Sequence, residues 1–276
     1  MALRTNTIPD PAHTAVILGS SFLGVYAHAG FMSALDSLGF SPARIAGSSG
    51  GALAGAFHAC GLRGEALRDT ALDPKLRRSF FDLGCFWRLP GVASSLWSTG
   101  LFSGKNTIAY LRKKLGDIDI KDLPLDIAVT NLTTVAAEMR RSGPLAETIM
   151  ASCAVPALFT IQEIGSQRFL DGGIAAEFPY EQFNEDPLID TILIHRIRHE
   201  QDSRPNVKWA TVSNVIGMSH HASCNELHRI RRDLATANGK KLIEITTITP
   251  FPGLFSNRLA PACYDLGRQS GLNLIP

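Results

Sequence analysis

Ser49 sits in the run Gly47-Ser48-Ser49-Gly50-Gly51, directly after the short segment 43–46 and directly before a stretch rich in small residues, 51–60. Strand, sharp turn and helix is the setting in which a G-x-S-x-G run exposes a nucleophile. Neighbours without side chains let the backbone pass closely. A helix that starts at once brings its free N–H groups and the positive end of its dipole beside the reacting oxygen. A serine so placed suits acyl transfer, and Ser49 is the candidate nucleophile. The same residues also fit a plain turn whose small side chains let a helix pack tightly on a sheet. The pentapeptide alone leaves both readings open.

Two further segments decide between them. Ala15-Val16-Ile17-Leu18-Gly19-Ser20-Ser21-Phe22-Leu23-Gly24 is an apolar strand that runs into a small-residue turn and then a helix. Ala151-Ser152-Cys153-Ala154-Val155-Pro156-Ala157-Leu158-Phe159 is followed by Phe169-Leu170-Asp171-Gly172-Gly173 and by Phe178-Pro179. In order and spacing these segments resemble the patatin-like phospholipase family. That family has a glycine-rich oxyanion loop after its first strand, a G-x-S-x-G elbow, an S-x-A-x-P-x-x-F segment and a D-G-G or D-G-A motif. The resemblance runs over residues 14–179, with a fainter echo in Tyr264-Asp265-Leu266-Gly267.

The resemblance implies a three-layer α/β fold, a mostly parallel central sheet with helices on both faces, and hydrolysis of lipid or lipid-like esters. It implies a Ser-Asp dyad with no catalytic histidine: Ser49 as nucleophile and Asp171 as its general base. Oxyanion donors come from the backbone of the loop from Gly19 to Gly24, with Ser20 and Ser21 the expected pair, and from Gly50 after the nucleophile. Gly47, Gly51, Gly172 and Gly173 support the turns of the two motifs. No cofactor and no metal are expected. The family's loop usually reads G-G-G-x-R/K-G, and here two glycines are Ser20 and Ser21 and the basic residue is Leu23. Serine keeps its N–H but adds a Cβ that disfavours positive φ. Downstream of Asp171, where the family usually has asparagine before its proline, this chain has Ala176 and Glu177.

Composition agrees with a compact enzyme. The chain has 276 residues, 45% of them hydrophobic, enough to bury a sizeable core as one domain. Its net charge of +2 points to neither nucleic acid nor a membrane surface. Five scattered cysteines with no C-x-x-C pair suit free thiols and fit neither a disulfide framework nor zinc. The first thirteen residues are polar, with no apolar signal region, and 45–62, although uncharged, is broken by the elbow. A cytoplasmic location, with peripheral membrane contact an open option, is the expectation.

The elements that must hold these groups are legible as alternating patterns. Phe31, Met32, Leu35 and Leu38 recur at helical spacing, and Gly39 supplies a stop. Strands are expected at 125–130, 136–140, 189–194 and 242–248, and helices at 145–151, 207–238 and 259–272. Residues 64–118 read as a helical cap or insertion. Within it, Phe80, Phe81, Phe86, Trp87 and Trp97 mix with arginines, which fits a lipid-facing lid or ordinary packing. His220 or His221 follows Asp171 in the order an ordinary Ser-Asp-His esterase would need. His195 and His199 flank a strand end, and Arg229, Arg231, Arg232, Lys240 and Lys241 read as a solvated basic face. No nucleic-acid module is present. Two other functions stay open: a non-catalytic lipid- or partner-binding relative, for which Ser20, Ser21 and Leu23 speak, and a histidine-using esterase on small esters.

Overall fold

The computed structural model describes residues 9–94, 96–200, 212–253 and 256–274. Its strands are β1 (Thr14–Leu18), β2 (Arg44–Ser48), β3 (Gly100–Phe102), β4 (Leu125–Asn131), β5 (Ala136–Arg140), β6 (Ala157–Phe159), β7 (Gln162–Ile164), β8 (Gln167–Asp171), β9 (Thr191–His199) and β10 (Lys241–Thr249). Its helices are α1 (Val25–Ser37), α2 (Gly50–Ala59), α3 (Gly64–Leu72), α4 (Pro74–Ser79), α5 (Cys85–Ser94), α6 (Lys105–Leu115), α7 (Leu145–Ser152), α8 (Glu181–Asn184), α9 (Val212–Ala237) and α10 (Ala260–Leu272).

Strands β10, β9, β1, β2 and β4 lie side by side in that order, all parallel. β1 shows why helices cover both faces. All five of its residues are buried, as a continuous apolar run in a parallel sheet requires. Val16 and Leu18 face a core shared with Phe31, Met32, Leu53 and Phe57 of α1 and α2. Ala15 and Ile17 face a second core with Phe178, Tyr180, Phe183 and Ala235. The expected three-layer α/β architecture is present.

The echo Tyr264-Asp265-Leu266-Gly267 has a packing cause. A Cβ on Gly267 would lie 2.0 Å from the Ala27 carbonyl, and one on Gly30 would lie 2.0 Å from the Tyr264 carbonyl. Glycines on α1 and α10 thus let the two helices cross at backbone contact.

The strand expected at 136–140 is β5, which pairs antiparallel with β4. Some features were not legible. β7 and β8 are further antiparallel additions to the parallel sheet, and β3 pairs with β6 in a separate two-stranded sheet. Three-residue strands carry too little periodicity to read. The strand expected from 189 begins at Thr191 and continues to His199. The helix expected from 207 is α9, described from Val212, and 207–211 lie outside the described residues. Within 64–118, α3 does not reach over the site. It buries Leu67, Thr70 and Ala71 and packs on α1.

Candidate active site

Register places the two candidate catalytic residues. β4 carries β5 along one edge from Ile127 to Asn131. The opposite edge therefore holds both β2, with Ser48 opposite Ala128, and β8, with Asp171 opposite Val129. β2 runs parallel to β4 and β8 antiparallel, so the two approach head-on and stop at adjacent positions. Ser49 and Asp171 emerge where they meet.

Ser49 leaves β2 at φ 53°, ψ −119° and caps α2. This conformation is unfavourable for a residue with a Cβ, costing about 1–3 kcal/mol, and surrounding contacts must hold it. Ser152 supplies one: its Oγ accepts the Ser49 N–H at 2.8 Å and donates to the Ala128 carbonyl at 2.7 Å. Gly51 supplies another, since a Cβ there would lie 2.1 Å from the Leu18 carbonyl. Gly47 meets the backbone of Ala52 in the same way. Ser48 is fully buried, its hydroxyl facing Gly172 without a hydrogen-bond partner.

The Ser49 hydroxyl donates to Asp171 Oδ2 at 2.7 Å, and Asp171 Oδ1 accepts the Gly173 N–H at 2.7 Å. The aspartate backbone is fixed by Ala154, whose carbonyl accepts its N–H, and by Thr130, whose hydroxyl donates to its carbonyl. Burial pushes the carboxyl up to about 7, although the bonds from Ser49 and Gly173 pull the other way. Gly172 and Gly173 are needed here for space: neither has positive φ. A Cβ on Gly173 would lie 2.2 Å from Ser20 Oγ, and one on Gly172 would lie 2.2 Å from the Ala128 carbonyl.

The loop after β1 departs from expectation at Ser20. Its N–H donates to the Glu177 carbonyl at 3.0 Å, that of Gly19 to the His195 carbonyl, and that of Gly24 to the Ser21 carbonyl. The Ser20 amide is thus unavailable to an oxyanion. Ser21, Phe22 and Leu23 have no backbone donor bond among the described residues, and all three line the pocket with Gly50. Leu23 takes φ 51°, a left-handed turn without a glycine.

Histidines hold this loop from beneath, a role the sequence reading missed. His28 Nε2 lies 2.9 Å from the Gly19 carbonyl, His28 Nδ1 lies 2.8 Å from His195 Nδ1, and His195 Nε2 lies 2.8 Å from Thr247 Oγ1. Burial drives His28 down to about 3 and His195 well below its usual value, so both rings are neutral near pH 7. A carbonyl only accepts, so His28 donates through Nε2 and accepts at Nδ1. His195 then donates through Nδ1 and accepts from Thr247. In parallel, His199 lies between Thr249 (3.1 Å) and the Ser21 hydroxyl (3.3 Å). His220 contacts Cys224, and His221 is exposed. Among the described residues no histidine is hydrogen-bonded to Ser49.

Ser49 opens into a pocket with about 600 Å³ of empty space, its open mouth included. Leu53, Phe80, Phe81, Phe102, Leu158 and Phe159 form most of its apolar wall. Phe80 meets Phe159 edge to face and Phe81 meets Phe102. The aromatic segment therefore divides: Phe80 and Phe81 are packed wall, while Phe86 and Trp87 are exposed. Cys153 lines the pocket beside Ser49 and Asp171, and burial with the nearby Asp171 carboxylate keeps its thiol protonated. Arg77 also reaches the lining, but its guanidinium donates to the carbonyls of Gly253 and Ser256. The basic face is largely paired: Arg229 with Glu226 and Asp233, Arg231 with Glu181, Arg232 with Glu244. All five cysteines are free, and no described helix is long and apolar enough to cross a membrane.

Comparison with known proteins gives this geometry a family. An uncharacterized NTE family protein of Mycobacterium bovis is 29% identical over 181 residues, covering 64% of this chain and 47% of that protein. The chain thus spans about half the length of this curated relative. The uncharacterized protein YqhO of Bacillus subtilis is 27% identical over 213 residues, covering 66% of this chain and 72% of that one. Legionella pneumophila VipD has a similar fold, with a TM-score of 0.58 at 14% identity, covering 96% of this chain and 67% of that structure. The model of the patatin-like phospholipase family matches residues 16–184, from β1 to the end of α8. That match takes in the loop after β1, the elbow and Asp171, and it covers more than half of the chain, which therefore belongs to the patatin-like phospholipase family.

Proposed function

We propose that the chain is a serine acyl hydrolase that cleaves ester bonds of lipids through Ser49 and Asp171. The observation that carries this reading is the 2.7 Å hydrogen bond from the Ser49 hydroxyl to a buried carboxylate, at the base of an apolar pocket. In the reaction, Asp171 takes the hydroxyl proton as Ser49 Oγ attacks the acyl carbonyl. The negative charge on the carbonyl oxygen is met by N–H groups of Gly50, at the start of α2, and of Ser21 or Phe22, in the loop after β1. Asp171 returns the proton to the departing alcohol, leaving an acyl ester on Ser49. It then deprotonates a water, which releases the fatty acid and regenerates the serine. The apolar wall suits an acyl chain, and no cofactor takes part in these steps.

Active-site titration with a fluorophosphonate, followed by mass mapping of the labelled peptide, tests this reading. Label is expected on Ser49, with hydrolysis of a medium-chain p-nitrophenyl ester. Ser49→Ala should abolish both. Ser48→Ala removes a buried hydroxyl that has no partner, so it should change stability by less than about 1 kcal/mol and keep activity. Absence of labelling and of turnover on a panel of esters and phospholipids would overturn the enzyme reading in favour of a binding protein.

A further inference from the structure

Large apolar side chains stand in solvent on one short stretch: Leu83, Phe86, Trp87 and Leu89 on and before α5, then Leu96 and Trp97 after it. Phe86 is 72% exposed and Trp87 84%. Rings of this size are normally buried, and a cluster of them in water marks an interaction surface.

Charge identifies the partner. Residues 74–114 contain eight lysines and arginines against one acid, Asp82, although the whole chain nets only +2. That one carboxylate is already engaged, by Arg88 at 2.8 Å and by the Ser103 N–H at 2.7 Å. Lys75, Arg78 and Lys105 are exposed and make no ion pair among the described residues. Exposed tryptophan and phenylalanine beside free cations are the chemistry of an anionic lipid surface, where rings enter the headgroup boundary and cations meet phosphate.

Position links this surface to the pocket. Phe81 and Phe102 belong to the pocket wall, and Asp82 and Ser103 follow them directly in sequence. The Asp82 node fastens Arg88 of α5 to Ser103, and Arg88 also donates to the Leu101 carbonyl at 2.8 Å. The exposed rings are therefore tied to the wall of the Ser49 pocket.

We propose that α5 and its flanking turns form a docking surface for an anionic lipid bilayer, which brings the mouth of the Ser49 pocket to the membrane. The use of that contact rests on the acyl-hydrolase reading, but the binding itself requires no turnover. The test is sedimentation of the full chain carrying Ser49→Ala with two vesicle types: phosphatidylcholine alone, and phosphatidylcholine mixed with phosphatidylglycerol. Binding is expected to the mixed vesicles and to weaken as salt is raised. Phe86→Ser with Trp87→Ser should weaken affinity about tenfold or more at unchanged melting temperature. The triple charge reversal Lys75→Glu, Arg78→Glu, Lys105→Glu should weaken binding to the anionic vesicles specifically. The proposal is overturned if the chain ignores anionic vesicles, or if the ring variant stays folded and binds as well as its parent. It is overturned as well if the ring variant only turns a dimer into a monomer, which would assign the surface to a second copy. Hydrolysis of a soluble monomeric ester by the chain with Ser49 intact is measured separately. Failure there, with vesicle binding retained, removes the hydrolase reading and leaves the docking surface standing.

Discussion

In the proposed reaction Asp171 acts as a base, yet it is almost wholly buried, and burial acts on folding as well as on the base. Burial raises the carboxyl to about 7, against roughly 3.9 for an unfolded aspartate. As pH climbs between these values, the unfolded chain loses its proton first, so folding stability falls by up to ~1.4 kcal/mol per pH unit and levels off above 7. Asparagine can accept the Gly173 N–H and face Ser49 without a charge. Asp171→Asn should therefore match the wild type near pH 4 and exceed it by about 2–4 kcal/mol at pH 8 in urea denaturation. The same substitution should lower kcat/KM by about a thousandfold or more, since the base is gone. For the wild type, kcat/KM should fall as pH drops below about 7, with one group protonating. A variant that is folded, inactive and less stable at pH 8 would mean that Asp171 is held as a carboxylate by contacts stronger than its burial. Retained activity would return the base role to a histidine such as His220 or His221.

At the level of elements, the Ser49–Asp171 contact depends on β2 and β8 meeting head-on along one edge of β4, and Ser152 at the end of α7 locks the junction. Its hydroxyl is the acceptor for the Ser49 N–H and the donor to the Ala128 carbonyl. Ser152→Ala leaves both groups buried without a partner, at a cost of about 1–3 kcal/mol. The elbow would relax from its strained φ, so kcat should drop about ten- to a hundredfold while KM changes little. A proportionate rise in KM with kcat intact would assign Ser152 to substrate binding instead. The serine was visible in the sequence as part of a motif, yet its task was not, because the bond it makes spans 103 residues. The elbow, β1, α1, β4 and α10 could be read because each is a continuous run with one period. β8 could not, since its five residues mix buried, half-buried and exposed positions, one partner, β7, is too short to read, and the other, β4, is remote in sequence. The loop after β1 was legible as a loop, but the expectation of a free Ser20 amide failed, because that amide is engaged by the Glu177 carbonyl, a contact that only the folded chain creates.

Across the whole molecule, the buried chain Thr247–His195–His28–Gly19 joins β10, β9, α1 and the loop after β1 in one hydrogen-bonded line. The line is built for neutral rings: burial opposes a first proton, and a proton on each ring would place two N–H groups face to face at the 2.8 Å contact. Burial lowers both histidines in the folded chain, His28 to about 3, whereas an unfolded histidine titrates near 6.5. Below about pH 6.5 the unfolded chain therefore binds protons that the folded chain cannot, and stability is lost as pH falls. Two such groups give a slope of roughly 2–3 kcal/mol per pH unit. Asp171 contributes an opposite slope over part of this range, so the wild-type curve alone would conceal the effect. Comparison with His28→Gln/His195→Gln cancels every other group. Glutamine can donate to the Gly19 carbonyl and accept from Thr247, and it does not titrate. At pH 8 the double variant should be the less stable chain, through poorer packing against Phe31, which stacks on the His195 ring. As pH falls from 6.5 to 5, that deficit should shrink at the stated slope and then reverse. A slope of half that size would mean that the pair shares one proton in the folded state and holds the loop by a charged bridge, and a deficit that stays constant from pH 8 to 5 would mean that both rings titrate in the folded chain as they do in the unfolded one.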